Sequence, residues 1–149
     1  MVTTPEEISM ADVRKELNFC QKTKVPILGL VENMGHYTTT LSQLKFHGGA
    51  DGNTDCTNEV LAKIKAACPE LLDKYSVSAD IFPATGGGPK AMAENYQIPY
   101  WGTLPMDPNL LTACENGKAF VEEFSSSLAA KALKYFAEQI TSKLKVDEV

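Results

Sequence analysis

Hydrophobic positions along the chain follow two different periods, one typical of helices and one typical of buried strands. Near the N-terminus, four apolar residues recur at helical spacing with charged residues between them, which predicts an amphipathic helix: Met10, Val13, Leu17 and Cys20. A short aliphatic run at 26–31, PILGLV, then predicts a parallel strand that is covered on both faces.

Predicted strands and helices also follow one another in the second half of the chain. Residues 98–104, IPYWGTL, predict another buried strand, and Asp107 is expected to cap a helix that begins at Pro108. The last helix is predicted to present an apolar face formed by Ala129, Leu133, Phe136, Ile140 and Leu144. Helices that alternate with apolar strands indicate an α/β fold with a parallel sheet.

The region between the two strands reads differently. Residues 36–57 are polar and glycine-rich, a helix near 61–68 is interrupted by Pro69, and residues 76–82 alternate as a half-exposed strand does. We therefore expect one α/β domain over residues 1–149, with an irregular insertion at about 36–78. The first helix begins so soon after Met1 that we expect the chain to be cut just after a strand.

Composition and charge exclude several classes of function. Lysine and arginine number 14 against 19 acidic residues, the net charge is -5, and no basic cluster occurs, so neither nucleic acid nor an anionic membrane is an expected partner. No apolar run approaches the roughly 20 residues that span a bilayer. The four cysteines are scattered without a CxxC pair, which favours reduced thiols. We expect a cytoplasmic protein, with an organellar location left open because the true N-terminus is expected to be missing.

Six short motifs occur in an order that is similar to one known family. They are VTTPEE, DVRKELNFC, KVPILGLVENM, ATGGG with a following MAE, IPYWGTLPMDP and CENGKAF. Together they resemble the C-terminal half of the Mrp/NBP-type ATPases, MinD-related P-loop NTPases that act as scaffolds or carriers in iron–sulfur cluster assembly. The resemblance implies a SIMIBI/MinD-type parallel sheet flanked by helices that lacks the P-loop half. It covers most of the chain outside about residues 36–78 and the last helix.

The resemblance also implies the adenine side of a nucleotide pocket. In the family, the asparagine of the ENM motif lies by the adenine, and here it is Asn33; the segment after the next strand supplies the other wall, here Pro105, Met106 and Asp107. An amide offers both a donor and an acceptor, which suits a purine edge. We therefore expect the strand to end at the ENM motif, facing a base. Taken from the residues alone, a second interpretation stays open, in which Asn33 only caps a turn.

Two parts of the family pattern are missing. No GxxxxGK[ST] and no aspartate-bearing strand for magnesium occur, so this chain alone is not expected to hydrolyse ATP. The glycines of 84–90, ATGGGPK, indicate a tight turn and close packing more than a weak anion site. At 39–42, Thr-Thr-Leu-Ser takes the place of the CPxC motif that in the family holds a bridging [4Fe–4S] cluster, and hydroxyls are poor iron ligands.

The insertion contains four weak candidates for metal ligands: His36, His47, Cys56 and Cys68. Their spacings match no known metal signature, so no metal site is expected. Cys68 also falls on the apolar face with Leu61 and Ile64, where a buried structural cysteine is common.

Two hypotheses of function follow. In the first, the chain is an ATP-binding protein of the Mrp/NBP iron–sulfur assembly family, present as its C-terminal half; its partners would be a second copy or a related ATPase subunit, and iron–sulfur assembly proteins. In the alternative, it is a non-enzymatic interaction module or split subunit that pairs with a separate P-loop chain. Whether the chain is an enzyme stays open, and alone it is expected to bind ATP weakly or not at all.

Overall fold

The computed structural model describes residues 1–144, with residues 73 and 85 described by their backbone alone. In chain order the elements are β1 (Val2–Thr3), α1 (Glu7–Thr23), β2 (Leu30–Thr40), β3 (His47–Gly48), β4 (Thr54–Asp55), α2 (Thr57–Ala67), α3 (Glu70–Asp73), β5 (Ser76–Asp80), α4 (Gly88–Asn95), β6 (Tyr100–Met106), α5 (Pro108–Glu115), α6 (Phe120–Glu123) and α7 (Leu128–Leu144). The chain divides into two compact units, unit 1 (Met1–Tyr37 with Asp80–Val149) and unit 2 (Thr38–Ala79).

The sheet of unit 1 is built around β2. Strand β1 pairs with β2 in parallel, with Val2 opposite Val31. Strand β6 also pairs with β2 in parallel, with Leu30 opposite Tyr100 and Asn33 opposite Leu104. The expectation of an α/β fold with parallel strands is confirmed for these pairs.

The boundaries predicted for the first buried strand are wrong. Strand β2 begins at Leu30 and continues through the ENM motif to Thr40, whereas the apolar run predicted a strand over 26–31. It begins late because its hydrogen-bond partners begin late: the Leu30 amide donates to the Pro99 carbonyl at 2.8 Å. It continues because β-branched threonines at 38–40 suit a half-exposed strand as well as an aliphatic run suits a buried one.

Two apolar clusters hold unit 1 together. The first joins α1 and α4 to the sheet and consists of Met10, Val13, Leu17, Leu30, Met92 and Ala93. The second joins α5, α6 and α7 and consists of Ala113, Phe120, Ala129 and Ala130, with Leu104 of β6 packed against it. Leu30 and Asn33 point to opposite faces of β2 because side chains alternate along a strand. Since Leu104 is the neighbour of Asn33, the two clusters lie on opposite faces of the sheet.

The apolar face predicted for the last helix is only partly buried. Ala129 and Phe136 are buried, but Ile140 is 41% exposed and Leu144 is 57% exposed. The apolar residues of α7 lie on one face as predicted, and in the first turns this face packs on β6 and α6. Burial of this face therefore decreases toward the C-terminal end of the helix.

Three successive glycines form the turn that leads into α4. Gly86, Gly87 and Gly88 have positive φ angles of 61°, 83° and 64°, a conformation that glycine adopts without steric cost. A Cβ on Gly87 would lie 2.7 Å from the Cβ of Ala91. The geometry is that of a tight turn with close packing, as the sequence indicates.

Unit 2 has regular structure but little buried apolar surface. Strands β3 and β4 form an antiparallel hairpin, and β5 pairs with β2, where the Thr38 hydroxyl donates to the Ser78 hydroxyl at 3.0 Å. None of the residues of α2 is buried. Helices and short strands thus occupy much of the segment that the sequence indicates as irregular. No helix among residues 1–144 is both long and apolar enough to cross a membrane.

Truncating the core face of α1 tests this packing. Leu17 is completely buried and Phe19, on the same helix, is 63% exposed. We expect Leu17→Ala to lower the free energy of unfolding by about 2–5 kcal/mol, because it removes buried methyl groups and leaves a cavity. Urea unfolding followed by the fluorescence of Trp101, the single tryptophan, measures unit 1. Phe19→Ala is the matched control and should change stability by less than about 0.5 kcal/mol; equal losses would contradict this account of the core.

Candidate functional site

Asn33 lies within β2, at the last position of its uninterrupted pairing with β6. It is half-buried, and the pairing register shifts between Asn33 and Tyr37. Met34, the next residue, has a positive φ of 59°, which is uncommon for a residue with a side chain and costs of order 1 kcal/mol. The expectation that the strand ends at this motif is wrong, but the regular parallel ladder does end here.

Close contacts fix the backbone around this irregularity. A Cβ on Gly35 would lie 2.5 Å from Oε1 of Glu32 and 2.4 Å from Cγ2 of Thr103. Real Cβ atoms do not approach other atoms so closely, so a residue with a side chain requires the neighbours to move. Gly35 therefore lets the bulged segment lie against β6.

Pairing of β2 with β6 places the predicted wall segment Pro105–Asp107 directly after the register partner of Asn33. Leu104 is the register partner of Asn33, and Met106 is the partner of Tyr37. Pro105, between them, is buried, and Met106 is half-buried. Neighbouring strands lie about 4.8 Å apart, so Leu104 lies one strand spacing from Asn33, while Pro105 and Met106 follow Leu104 along β6 and Met106 pairs with Tyr37.

Asp107 is engaged in two hydrogen bonds within the chain. Its Oδ1 accepts from the Asn109 amide at 2.9 Å, which caps α5 as the sequence predicts. Its Oδ2 accepts from the Ser127 hydroxyl at 2.5 Å. The Ser127 oxygen in turn accepts from the Ala129 amide at 3.0 Å, at the start of α7. Sequence reasoning did not single out Ser127, although a serine directly before a helix is a common N-cap.

A second polar cluster joins β2 to β6 near the first core cluster. The Tyr100 hydroxyl donates to Oε2 of Glu32 at 2.7 Å and lies 3.0 Å from the hydroxyl of Thr103. Burial raises the pKa of Tyr100 to about 12; the hydrogen bond of Thr103 lowers it, whereas the hydrogen bond to Glu32 and the charge of that carboxylate raise it. Glu32 thus has a hydrogen-bond partner in the protein, and no nucleophile or metal motif accompanies it in the sequence.

The four weak metal candidates lie in different elements. His36 is in β2, His47 in β3, and Cys56 and Cys68 flank the two ends of α2. The expectation that Cys68 is buried on the apolar face of that helix is wrong: it is exposed, because α2 ends at Ala67 before Pro69 and Cys68 lies beyond the last turn. Within residues 1–144, no group of three or more His, Cys, Asp or Glu is arranged to hold a metal ion.

Residues at the place of the CPxC motif do not fit an iron–sulfur cluster. The Thr39 hydroxyl donates to the side-chain oxygen of Gln43 at 2.7 Å, and the hydroxyls of Thr40 and Ser42 share a hydrogen bond of 2.9 Å. Thiolates are the usual ligands of such clusters. These hydroxyls bond to neighbouring side chains instead, and the segment offers no sulfur.

A cleft of about 260 Å³ lies between α1 and α4 and includes Gly86 and Gly88 of the glycine turn. Met10, Met92 and Tyr96 contribute apolar side chains to its lining, and Arg14, which is ion-paired with Glu7, also lines it. Asn33 and the residues at 105–107 do not line it.

A comparison with protein-family models finds a match over the first part of the chain. The family described as NUBPL iron-transfer P-loop NTPase, of the ParA group, matches residues 1–69. The matched range contains β1, α1 and all of β2, including Asn33. Over this range the chain is similar to P-loop NTPases of iron transfer, which supports at family level the resemblance in the motifs. Beyond residue 69 the resemblance rests on those motifs alone.

The raised pKa of Tyr100 predicts a pH dependence of stability. Below pH 10, Tyr100 is protonated in both the folded and the unfolded chain and adds no dependence. Between pH 10 and about 12 the unfolded chain loses this proton first, so the free energy of unfolding should fall as the pH rises. Urea unfolding at a series of pH values from 9 to 11.5 should show a steeper fall for the wild type than for Tyr100→Phe.

The control for this measurement is Tyr135→Phe, which removes a tyrosine hydroxyl from an exposed position of α7. If the free energy of unfolding falls equally with pH in the wild type and in Tyr100→Phe, the pKa of Tyr100 is not raised by folding.

Proposed function

We propose that this chain is a nucleotide-binding protein of the Mrp/NBP iron–sulfur assembly ATPases and corresponds to their C-terminal half. Two observations support the proposal at the level of the family: the match over residues 1–69, and the motifs ATGGG, IPYWGTLPMDP and CENGKAF that follow in order. In this proposal residues 1–149 are part of one α/β domain.

The observation that carries the proposal is the parallel pairing that places Asn33 opposite Leu104. In open α/β sheets, ligands bind outside the carboxyl ends of the strands. Strand β6 ends at Met106, and the regular part of the β2 ladder ends at Asn33. We propose that the Asn33 amide and the segment Pro105–Asp107 hold the adenine of ATP between them.

In this proposal the chain supplies only the base side of the site. Binding of the phosphates needs backbone amides, a lysine and a metal ion. A P-loop half joined to this chain in a longer protein that forms a homodimer, or the P-loop of a related ATPase subunit, would provide them. Iron–sulfur assembly proteins are the proposed partners. We assign no cluster ligand to this chain, because its hydroxyls at 39–42 do not fit one.

An NMR titration with adenosine tests the base side without the phosphates. We expect adenosine to shift the side-chain amide of Asn33 and the backbone amide of Met106, with a dissociation constant roughly in the millimolar range, because a base alone offers few contacts. Uridine at equal concentration should shift them much less. Asn33→Ala should abolish the selective effect.

The matched control is Asn58→Ala, which removes an exposed asparagine amide from the first turn of α2 in unit 2. It should leave the titration unchanged. Equal shifts with adenosine and uridine, or selective shifts that survive Asn33→Ala, would refute the proposed pocket.

Phosphate release from magnesium–ATP tests the missing P-loop. Because the chain contains no GxxxxGK[ST], we expect its rate to equal that of buffer. Lys90→Ala changes the lysine of the glycine-rich 84–90 segment and should have no effect. Turnover that needs magnesium and disappears in Lys90→Ala would show that this segment binds phosphate.

A second candidate function is that of a split subunit that pairs with a separate P-loop chain. It is favoured by the sheet of unit 1, because in the described pairings β1 and β6 each bond to β2 alone, and open strand edges can accept another strand. An immunoblot of the source against residues 51–74 separates the candidates. A band well above the 16.2 kDa of this chain favours the C-terminal half of a longer ATPase, and a band at 16.2 kDa favours the split subunit.

A further inference from the structure

We propose that Ser127 is a positioning residue that fixes the segment Pro105–Asp107 through the carboxylate of Asp107, and so couples helix α7 to the proposed adenine site. The coupling to adenine rests on the function proposed above. The positioning of the segment stands on the hydrogen bonds of unit 1.

A single hydroxyl group links the beginnings of two helices. The Ser127 hydroxyl donates to Oδ2 of Asp107 at 2.5 Å and accepts from the Ala129 amide at 3.0 Å. The other carboxylate oxygen, Oδ1, accepts from the Asn109 amide at 2.9 Å. Asp107 therefore caps α5 while Ser127 caps α7, and the bond between them joins the two caps.

This arrangement assigns a structural task to the carboxylate of Asp107. Both of its oxygens have partners inside the chain, and hydrogen bonds to a charged group are stronger than those between neutral groups. The segment Pro105–Asp107 includes Met106, which pairs with Tyr37 of the neighbouring strand β2. We infer that Asp107 sets the position of the pocket wall and that Ser127 sets the position of Asp107.

The residues of α7 that follow Ser127 are packed in the protein core. Ala129 and Ala130, directly after the cap, are fully or almost fully buried in the second core cluster. Leu104 of β6, the neighbour of Asn33, packs against the same cluster. A shift of the first turn of α7 would therefore reach the pocket wall by two routes, through the Ser127–Asp107 bond and through Leu104.

The test uses the whole chain, four single variants (Ser127→Ala, Ser127→Thr, Ser126→Ala and Asp107→Asn) and the double variant that combines Asp107→Asn with Ser127→Ala. Ser126 is an exposed neighbour, so its substitution controls for removing a hydroxyl from this loop. Threonine keeps the hydroxyl and is also a good N-cap, so it should restore the function of Ser127. Two readouts are measured by NMR at a temperature where every variant is folded: the ligand-free resonances of Met106 and of the Asn33 side chain, and the affinity for adenosine.

We expect Ser127→Ala to shift both ligand-free resonances and to weaken adenosine binding about three- to tenfold, the effect of losing a typical hydrogen bond. The adenosine affinity of Ser127→Thr should remain within about twofold of that of the wild type. The affinity of Ser126→Ala should equal that of the wild type. In the Asp107→Asn background, Ser127→Ala should reduce the adenosine affinity by a smaller factor than in the wild type. The reason is that the two residues act through one hydrogen bond.

Several results would overturn the proposal. Unchanged resonances of Met106 and Asn33 in Ser127→Ala refute the positioning role whatever happens with adenosine. Shifted resonances with unchanged adenosine affinity refute the coupling to the site. A wild-type chain without adenosine-dependent shifts refutes the proposed nucleotide function and the coupling with it, and the ligand-free resonances then decide the positioning role alone.

Discussion

Parallel pairing of β2 with a strand on each side is the constraint on which the rest of unit 1 depends. The ladder with β6 places Leu30 and Asn33 at defined positions, and because side chains alternate along a strand, these two residues face opposite layers of helices. Leu30, which is completely buried, meets α1 and α4, while Leu104, opposite Asn33, meets α5, α6 and α7. A shift of this register by one residue would exchange the two faces and expose the apolar residues of both clusters.

Polar groups near the ends of the paired strands are held by the protein itself. Tyr100 bonds to Glu32, and Asp107 bonds to both Asn109 and Ser127. No buried side-chain nitrogen or oxygen atom in the described part of the chain lacks a hydrogen-bond partner, so this polar edge does not carry the cost of unsatisfied groups. These bonds hold side chains close in sequence to Asn33 and Met106, the residues of the proposed adenine site.

Much of the architecture could be predicted from the sequence because it depends on local rules. The core face of α1 follows from helical spacing, and the start of α5 follows from Asp107 and Pro108, whose cap geometry is as expected. Predictions failed where a residue depends on its neighbours in space. The start of β2 depends on where its neighbouring strands offer backbone partners, and Cys68 is exposed because its helix ends one residue earlier. The last turns of α7 leave Ile140 and Leu144 exposed although both lie on the predicted apolar face.

Residue types and their spacing are enough to predict the alternation of helices and strands, the resemblance of the ordered motifs to one family, and the absence of GxxxxGK[ST] from this chain. These properties can be read from residue types and spacings because each depends on a few adjacent residues. Three features emerge only from the folded chain: Asn33 lies opposite Leu104, Met34 adopts a left-handed conformation within a strand, and Ser127 bonds to Asp107. These contacts join residues up to 71 positions apart in the register of β2 with β6, and such distant pairs are fixed by the packing of the whole unit, which no local pattern encodes.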